Sequence, residues 1–161
     1  MSVFSVTNTL LHRAYAAKDD ADLSPLRVQA LLYLLHGWYM AIVGSPLLPT
    51  SFVAGKYGPI LPELASELEA YGGNPVDEYI HEFDTSTYSL KPFFVNEAAF
   101  PQFREILEQV WSVYRPLTTV QLRGLSNDAD SPWAKTEPGK PIPNALIRDN
   151  FLERARQSTK V

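Results

Sequence analysis

The chain is 161 residues long, the size of one domain, and its 45% apolar and 20% charged composition is that of a folded globular protein. Fourteen Lys and Arg against eighteen Asp and Glu leave a net charge of −4, which argues against duplex nucleic acid as a main partner because no basic stripe offsets it. The lack of cysteine excludes a disulfide scaffold, a thiol nucleophile and Cys-bearing zinc sites, and it fits a reducing compartment.

Residues 3–17 carry Val3, Val6, Leu10, Leu11 and Ala14 at helical spacing, which predicts a first amphipathic helix ended by Asp19, Asp20 and Asp22. Met1-Ser2-Val3-Phe4 has no basic, apolar leader character, so no secretory signal is expected and the location expected is cytoplasmic. Ser24-Pro25 starts a second helix: Ser24 caps, and Pro25 stands at the first helical position, where its missing N–H costs nothing. That helix, Leu26 to about Val43, is apolar on nearly all sides, which places it centrally among several neighbours. Its most apolar run, Ala30–Val43, is interrupted by His36-Gly37 and falls short of the roughly 20 residues of a membrane span. Gly44 and Pro46 end it.

Ser51–Pro59 reads as irregular, with a turn at Tyr57-Gly58-Pro59. Pro62 opens a helix with Leu61, Leu64, Ala65, Leu68 and Tyr71 on one face, closed by Gly72-Gly73. Between Glu78 and Val95, aromatic and polar residues interleave around Asp84-Thr85-Ser86, which predicts a short β-hairpin. A helix is predicted from about Asn96 to Arg115-Pro116, with Phe103, Ile106, Leu107, Val110, Trp111 and Tyr114 as its stripe. Thr118-x-x-Gln121 is a capping box ahead of a short helix ending near Ser126. Asp128–Pro143, rich in proline, reads as the least ordered stretch. A last helix runs from Pro143 to about Arg156 with Leu146, Ile147 and Phe151 inward, followed by a flexible tail, 157–161. The fold class is mainly α (α+β): a compact single-domain helical fold, 1–161, around a buried central helix with one small hairpin.

Chemistry is sparse. Glu78-x-x-His81 has the spacing of half a carboxylate-bridged metal site, but no second copy exists to complete one. Gly55-Lys56 lacks the rest of a phosphate loop. Glu63 and Glu67 read as the solvated side of a helix. His36, inside the apolar helix, must satisfy its ring nitrogens and reads first as structural, with a hydrolase or transferase using His36 and a carboxylate as the alternative. No catalytic residue, metal or cofactor is expected. Tyr57 and Trp133, in proline-containing loops, read either as exposed anchors for a protein partner or as lids over the core.

Leu23-Ser24-Pro25-Leu26-Arg27-Val28-Gln29-Ala30-Leu31-Leu32-Tyr33, continuing through His36-Gly37-Trp38-Tyr39, resembles the opening signature of the SocA-type antitoxin domain, also called Panacea or GepA-like phage-associated proteins. Gly44-x-Pro46-Leu47, Ala54–Ile60 with Tyr57-Gly58-Pro59, Leu122–Ser126, and Ser131-Pro132-Trp133 follow in the family's order, and the resemblance covers 23–151. The chain departs from the pattern at Gly55, where the family usually has tryptophan, and at Ser126-Asn127-Asp128-Ala129, where it often has Thr-His and an acid. On this resemblance Leu26, Gln29, Leu32, Tyr33, Gly37, Trp38, Tyr57, Gly58, Pro59, Pro132 and Trp133 are motif positions of structural kind.

What the resemblance implies is a non-enzymatic antitoxin or immunity protein that neutralises a cognate protein toxin, usually encoded in an adjacent gene, by direct binding; some members resemble adaptors that hand the toxin to a protease. Expected contacts are the Tyr57 loop, the hairpin with Tyr79, Phe83 and Tyr88, and the Trp133 loop. The acidic residues Glu63, Glu67, Glu69, Asp77, Glu78, Glu82 and Asp84 are expected to steer a basic toxin. No membrane partner is expected. DNA binding ranks low, because the clearest basic cluster is Arg148, Arg154, Arg156 and Lys160.

Overall fold

The computed structural model describes residues 1–159; Lys160 and Val161, the end of the expected tail, lie outside the described residues. In chain order the elements are α1 (Val3–Ala16), α2 (Pro25–Val43), β1 (Val53–Gly55), β2 (Gly58–Ile60), α3 (Pro62–Leu68) with a 3-10 turn (Glu69–Tyr71), β3 (His81–Asp84), β4 (Ser89–Pro92), α4 (Pro101–Tyr114), α5 (Thr119–Gly124) and α6 (Asn144–Thr159). The fold is mainly α, with two separate two-stranded antiparallel sheets.

The helix ends follow the local chemistry of the sequence. The Ser24 hydroxyl accepts from Arg27 N–H, Pro25 occupies the first turn, and Gly44 closes α2 at φ +91°. Thr118 and Gln121 form a reciprocal capping box on α5. Two ends differ from the sequence reading. α4 begins at Pro101 because Asn96 instead closes a local turn, its side chain accepting from Ala99 N–H at 3.3 Å. α6 continues to Thr159, so residues 157–159 of the expected tail are helical.

α2 is the spine. Arg27 to Gly37 are buried without a break, and α4, α5, α6, α3 and β2 all pack on it. By length and composition this 19-residue helix could cross a membrane, which the shorter apolar run did not indicate, yet two thirds of it is buried inside the protein. Buried polar groups lock the layers around it. Arg27 donates to the Leu117 and Arg115 carbonyls beyond α4, and Gln29 exchanges two hydrogen bonds with the Leu61 backbone ahead of α3. Gly37 faces Phe151 of α6 so closely that a β-carbon there would lie 2.2 Å from the ring.

The segment 51–59 is not irregular: β1 and β2 pair with Val53 opposite Ile60 and Gly55 opposite Gly58, leaving Lys56-Tyr57 at the tip. The stretch 128–143 is likewise tied down. Ala54 N–H donates to the Lys140 carbonyl, Gly139 N–H to Ala54, and Ile142 N–H to Phe52, extending the hairpin by long-range backbone bonds.

Candidate functional site

Three places in this frame bear on function: the β3–β4 hairpin, a groove beside the β1–β2 hairpin, and His36.

The β3–β4 hairpin inverts the usual pattern of a half-buried strand pair. Phe83 and Leu90 are directly opposite each other and point to solvent, 57% and 67% exposed, while Glu82 and Asp84 are half-buried. Tyr88 is 82% exposed, packs edge-on against Phe83, and sits at φ +53°, a conformation that a tyrosine adopts at a cost. Asp84 holds the turn: its carboxylate accepts from Ser86 and Thr87 and pairs with Lys91 at 2.6 Å, and the Lys91 contact leads in holding its pKa well below the usual carboxylate range. The hairpin is anchored by Asn8 of α1, fully buried, whose amide bonds both backbone groups of Ile80 and the Phe93 carbonyl at 2.8–3.1 Å. Tyr79 lies just before β3, partly buried against Tyr15 and Phe94, with its hydroxyl hydrogen-bonded to His12 at 3.0 Å. An inverted hairpin of this kind leaves an apolar surface that the described residues do not cover.

The groove runs between the first turns of α2, the β1–β2 hairpin, α3 and α5, with a volume of about 290 Å³ and a mostly apolar lining. Leu26, Gln29, Ala30 and Tyr33 line it at helical spacing along α2. Tyr33 and Ser126, also in the lining, are buried with hydroxyls that have no hydrogen-bond partner among the described residues. An unpaired buried hydroxyl costs about 1–3 kcal/mol. Burial pushes the Tyr33 phenol well above its ordinary pKa, so it is a neutral donor.

Tyr57 stands over the groove, 54% exposed, with the Arg123 guanidinium 5.1 Å and the Lys56 ammonium 5.4 Å from its ring centre. Arg123 and Asn127 both donate to its carbonyl at 3.2 Å. Gly58 is buried at φ +142°, which only glycine adopts without strain, and Pro59 is buried behind it. Trp133, expected as an anchor or a lid, is half-buried and spends its indole N–H on the Gly55 carbonyl at 2.6 Å, with Pro132 buried beside it. A side chain at Gly55 would put its β-carbon 2.8 Å from the Gly58 carbonyl.

His36 is fully buried and both ring nitrogens are used: Nδ1 accepts from Leu48 N–H at 3.4 Å and Nε2 donates to Asn144 at 3.1 Å. Burial lowers its pKa, opposed in part by the Asn144 bond. It lines neither this groove nor the wider depression between α2, α5 and α6, and its two ring partners are an amide side chain and a backbone N–H, not a carboxylate. His81 Nδ1 instead bonds the Tyr79 carbonyl, and among the described residues no three metal-ligating side chains converge. Of the basic cluster near the C-terminus, Arg154 lies over Phe151 and donates to Leu125 and Asn150, Arg156 pairs with Glu153, Arg148 is exposed, and Lys160 lies outside the described residues.

Residues 28–134, two thirds of the chain, match the model described as "Antitoxin SocA-like, Panacea domain". The chain belongs to the SocA-like, Panacea-domain family. It is also 29% identical over 129 residues to Antitoxin SocA of Caulobacter vibrioides, an alignment that covers 80% of this chain. The chain spans 66% of the length of that curated relative. No solved structure matches it.

The motif residues of this Panacea domain fall on the frame and the groove. Leu32 and Gly37 serve the α2 core, Trp38 donates to the Tyr114 hydroxyl, and Leu26, Gln29, Tyr33, Tyr57, Gly58 and Pro59 border the groove. Sequence reasoning did not find the groove itself, nor Lys56, Ala65, Arg123 and Ser126 as its lining. The one available signal was a stripe of Leu26, Ala30 and Tyr33 on a helix too apolar to show any stripe.

Proposed function

We propose that this protein is an antitoxin: it neutralises a cognate protein toxin, encoded by an adjacent gene, by binding it directly in the cytoplasm. Family membership supports the antitoxin role. The observation that carries direct binding is the inverted β3–β4 hairpin, where Phe83, Leu90 and Tyr88 face solvent on a strand pair fixed to α1 by the Asn8 amide. Aromatic side chains on a rigid element suit partner docking, because they bury large area with little loss of side-chain freedom. Glu78 and Glu82, near or on the same hairpin, provide a field that favours a basic toxin surface.

The test is co-expression with each neighbouring open reading frame, using the wild type and a Phe83→Ser/Leu90→Ser variant. Because both side chains are exposed, the variant keeps the fold. Growth rescue by the wild type and its loss in the variant support the reading. Full rescue by the variant removes the hairpin as the docking face, and rescue without a stable complex points to delivery to a protease instead of occlusion.

A further inference from the structure

The groove beside the β1–β2 hairpin has features that the fold does not use. Its lining is mostly apolar, yet two of its residues, Tyr33 and Ser126, hold buried hydroxyls without a partner among the described residues. Native proteins rarely leave such groups unpaired, so each one that occurs calls for a reason in strain, function or a bound group. Lys56 and Arg123 line the hairpin side and, among the described residues, neither is ion-paired. Glu69 is the one carboxylate in the lining, so the groove is net positive in a protein of net charge −4. At about 290 Å³ it lies just below the range of drug-sized ligand pockets, which suits one or two side chains of a polypeptide.

We propose that this groove is an anchor pocket for a short segment of the toxin: one aromatic side chain with a hydrogen-bonding tip enters beneath Tyr57, and a neighbouring acidic residue meets Lys56 and Arg123. Entry of the side chain opens the groove floor so that its tip satisfies the Tyr33 and Ser126 hydroxyls, both closed to solvent in the unbound protein. The acidic residue supplies the counter-charge the two cations lack, and the Tyr57 ring closes over the inserted side chain. This assignment rests on the antitoxin reading for the identity of the partner, and on the groove alone for the chemistry.

Three variants test it against the toxic neighbouring gene product that co-expression identifies, with affinity measured by calorimetry and folding by thermal melting. Ala65→Trp fills the groove from the exposed surface of α3. Lys56→Glu reverses an exposed charge. Tyr33→Phe removes the orphan hydroxyl and keeps the ring. The expected result is binding lost in A65W, and about tenfold weaker binding in K56E and in Y33F. Y33F also melts higher than the wild type, because it removes an unpaired buried hydroxyl; a residue with a purely structural hydrogen bond would melt lower. Wild-type affinity in A65W and K56E overturns the groove as the anchor site and leaves the antitoxin reading standing. Unchanged affinity in K56E and Y33F overturns the proposed chemistry even where A65W is impaired. If the wild type binds no neighbouring product, the antitoxin reading falls and this assignment with it.

Discussion

Replacing Gly37 by alanine tests the packing account at its tightest point. In an ordinary helix interior this change stabilises by about 1 kcal/mol, because glycine is the poorer helix former. Here the added β-carbon would lie 2.2–2.4 Å from three ring atoms of Phe151, far inside van der Waals contact. Phe151 has no room to yield: it is fully buried, edge-on to Tyr33 and Trp38, with the Arg154 guanidinium over its face. The ring must move by more than an ångström, and α6 with it. Overpacking of this severity lies at the upper end of the usual ~1–3 kcal/mol or above it. After the propensity gain, the net loss expected is about 2–3 kcal/mol, a fall in melting temperature of about 4–12 °C for a chain of this size. Thermal and urea unfolding of Gly37→Ala measure it, and Phe151→Leu in the same background should recover part of the loss. A Gly37→Ala protein that melts at or above the wild type would refute the α2–α6 contact as described.

Three further outcomes follow from other contacts. Asn8→Ala removes two buried hydrogen bonds to Ile80 and a partly buried one to Phe93, so stability should drop by about 2–4 kcal/mol and the Ile80 amide should lose hydrogen-exchange protection ahead of the α2 core. Trp133→Phe breaks the bond to the Gly55 carbonyl; a loss of about 1–2 kcal/mol is expected, with greater proteolytic cleavage between residues 128 and 143. His36 is held below its unfolded pKa of 6.5 by burial, so below about pH 6.5 the unfolded chain binds a proton that the folded one does not. Stability should therefore fall as pH drops through this window, by at most about 1.4 kcal/mol per pH unit, and the difference between wild type and His36→Asn should vanish above it in slope.

What the sequence disclosed was local chemistry. Ser24, Pro25 and Gly44 announce α2, and Thr118 with Gln121 announces α5, because each acts within four residues of itself. The start of α4 is not legible locally because Asn96 is as good a turn residue as it is a cap, and only the geometry of Ala99 tells which. β1 and β2 are three residues each, with glycine and proline among them, and carry no alternation to detect. The order of 128–143 comes from backbone bonds to Phe52 and Ala54, nearly ninety residues earlier, on which its proline content is silent. The groove was illegible for the same reason: Tyr33, Tyr57, Ala65 and Ser126 come from four separate segments of the chain, and an unpaired hydroxyl is a property of the assembled fold.

The most direct measurement of the central claim is co-expression of this chain with each neighbouring gene product, scoring growth and co-purification together. The account predicts one neighbour that is toxic alone, silent in the presence of this protein, and recovered with it in a stable complex. Neighbours that are all harmless, or a toxic one that this protein neither silences nor binds, would contradict it.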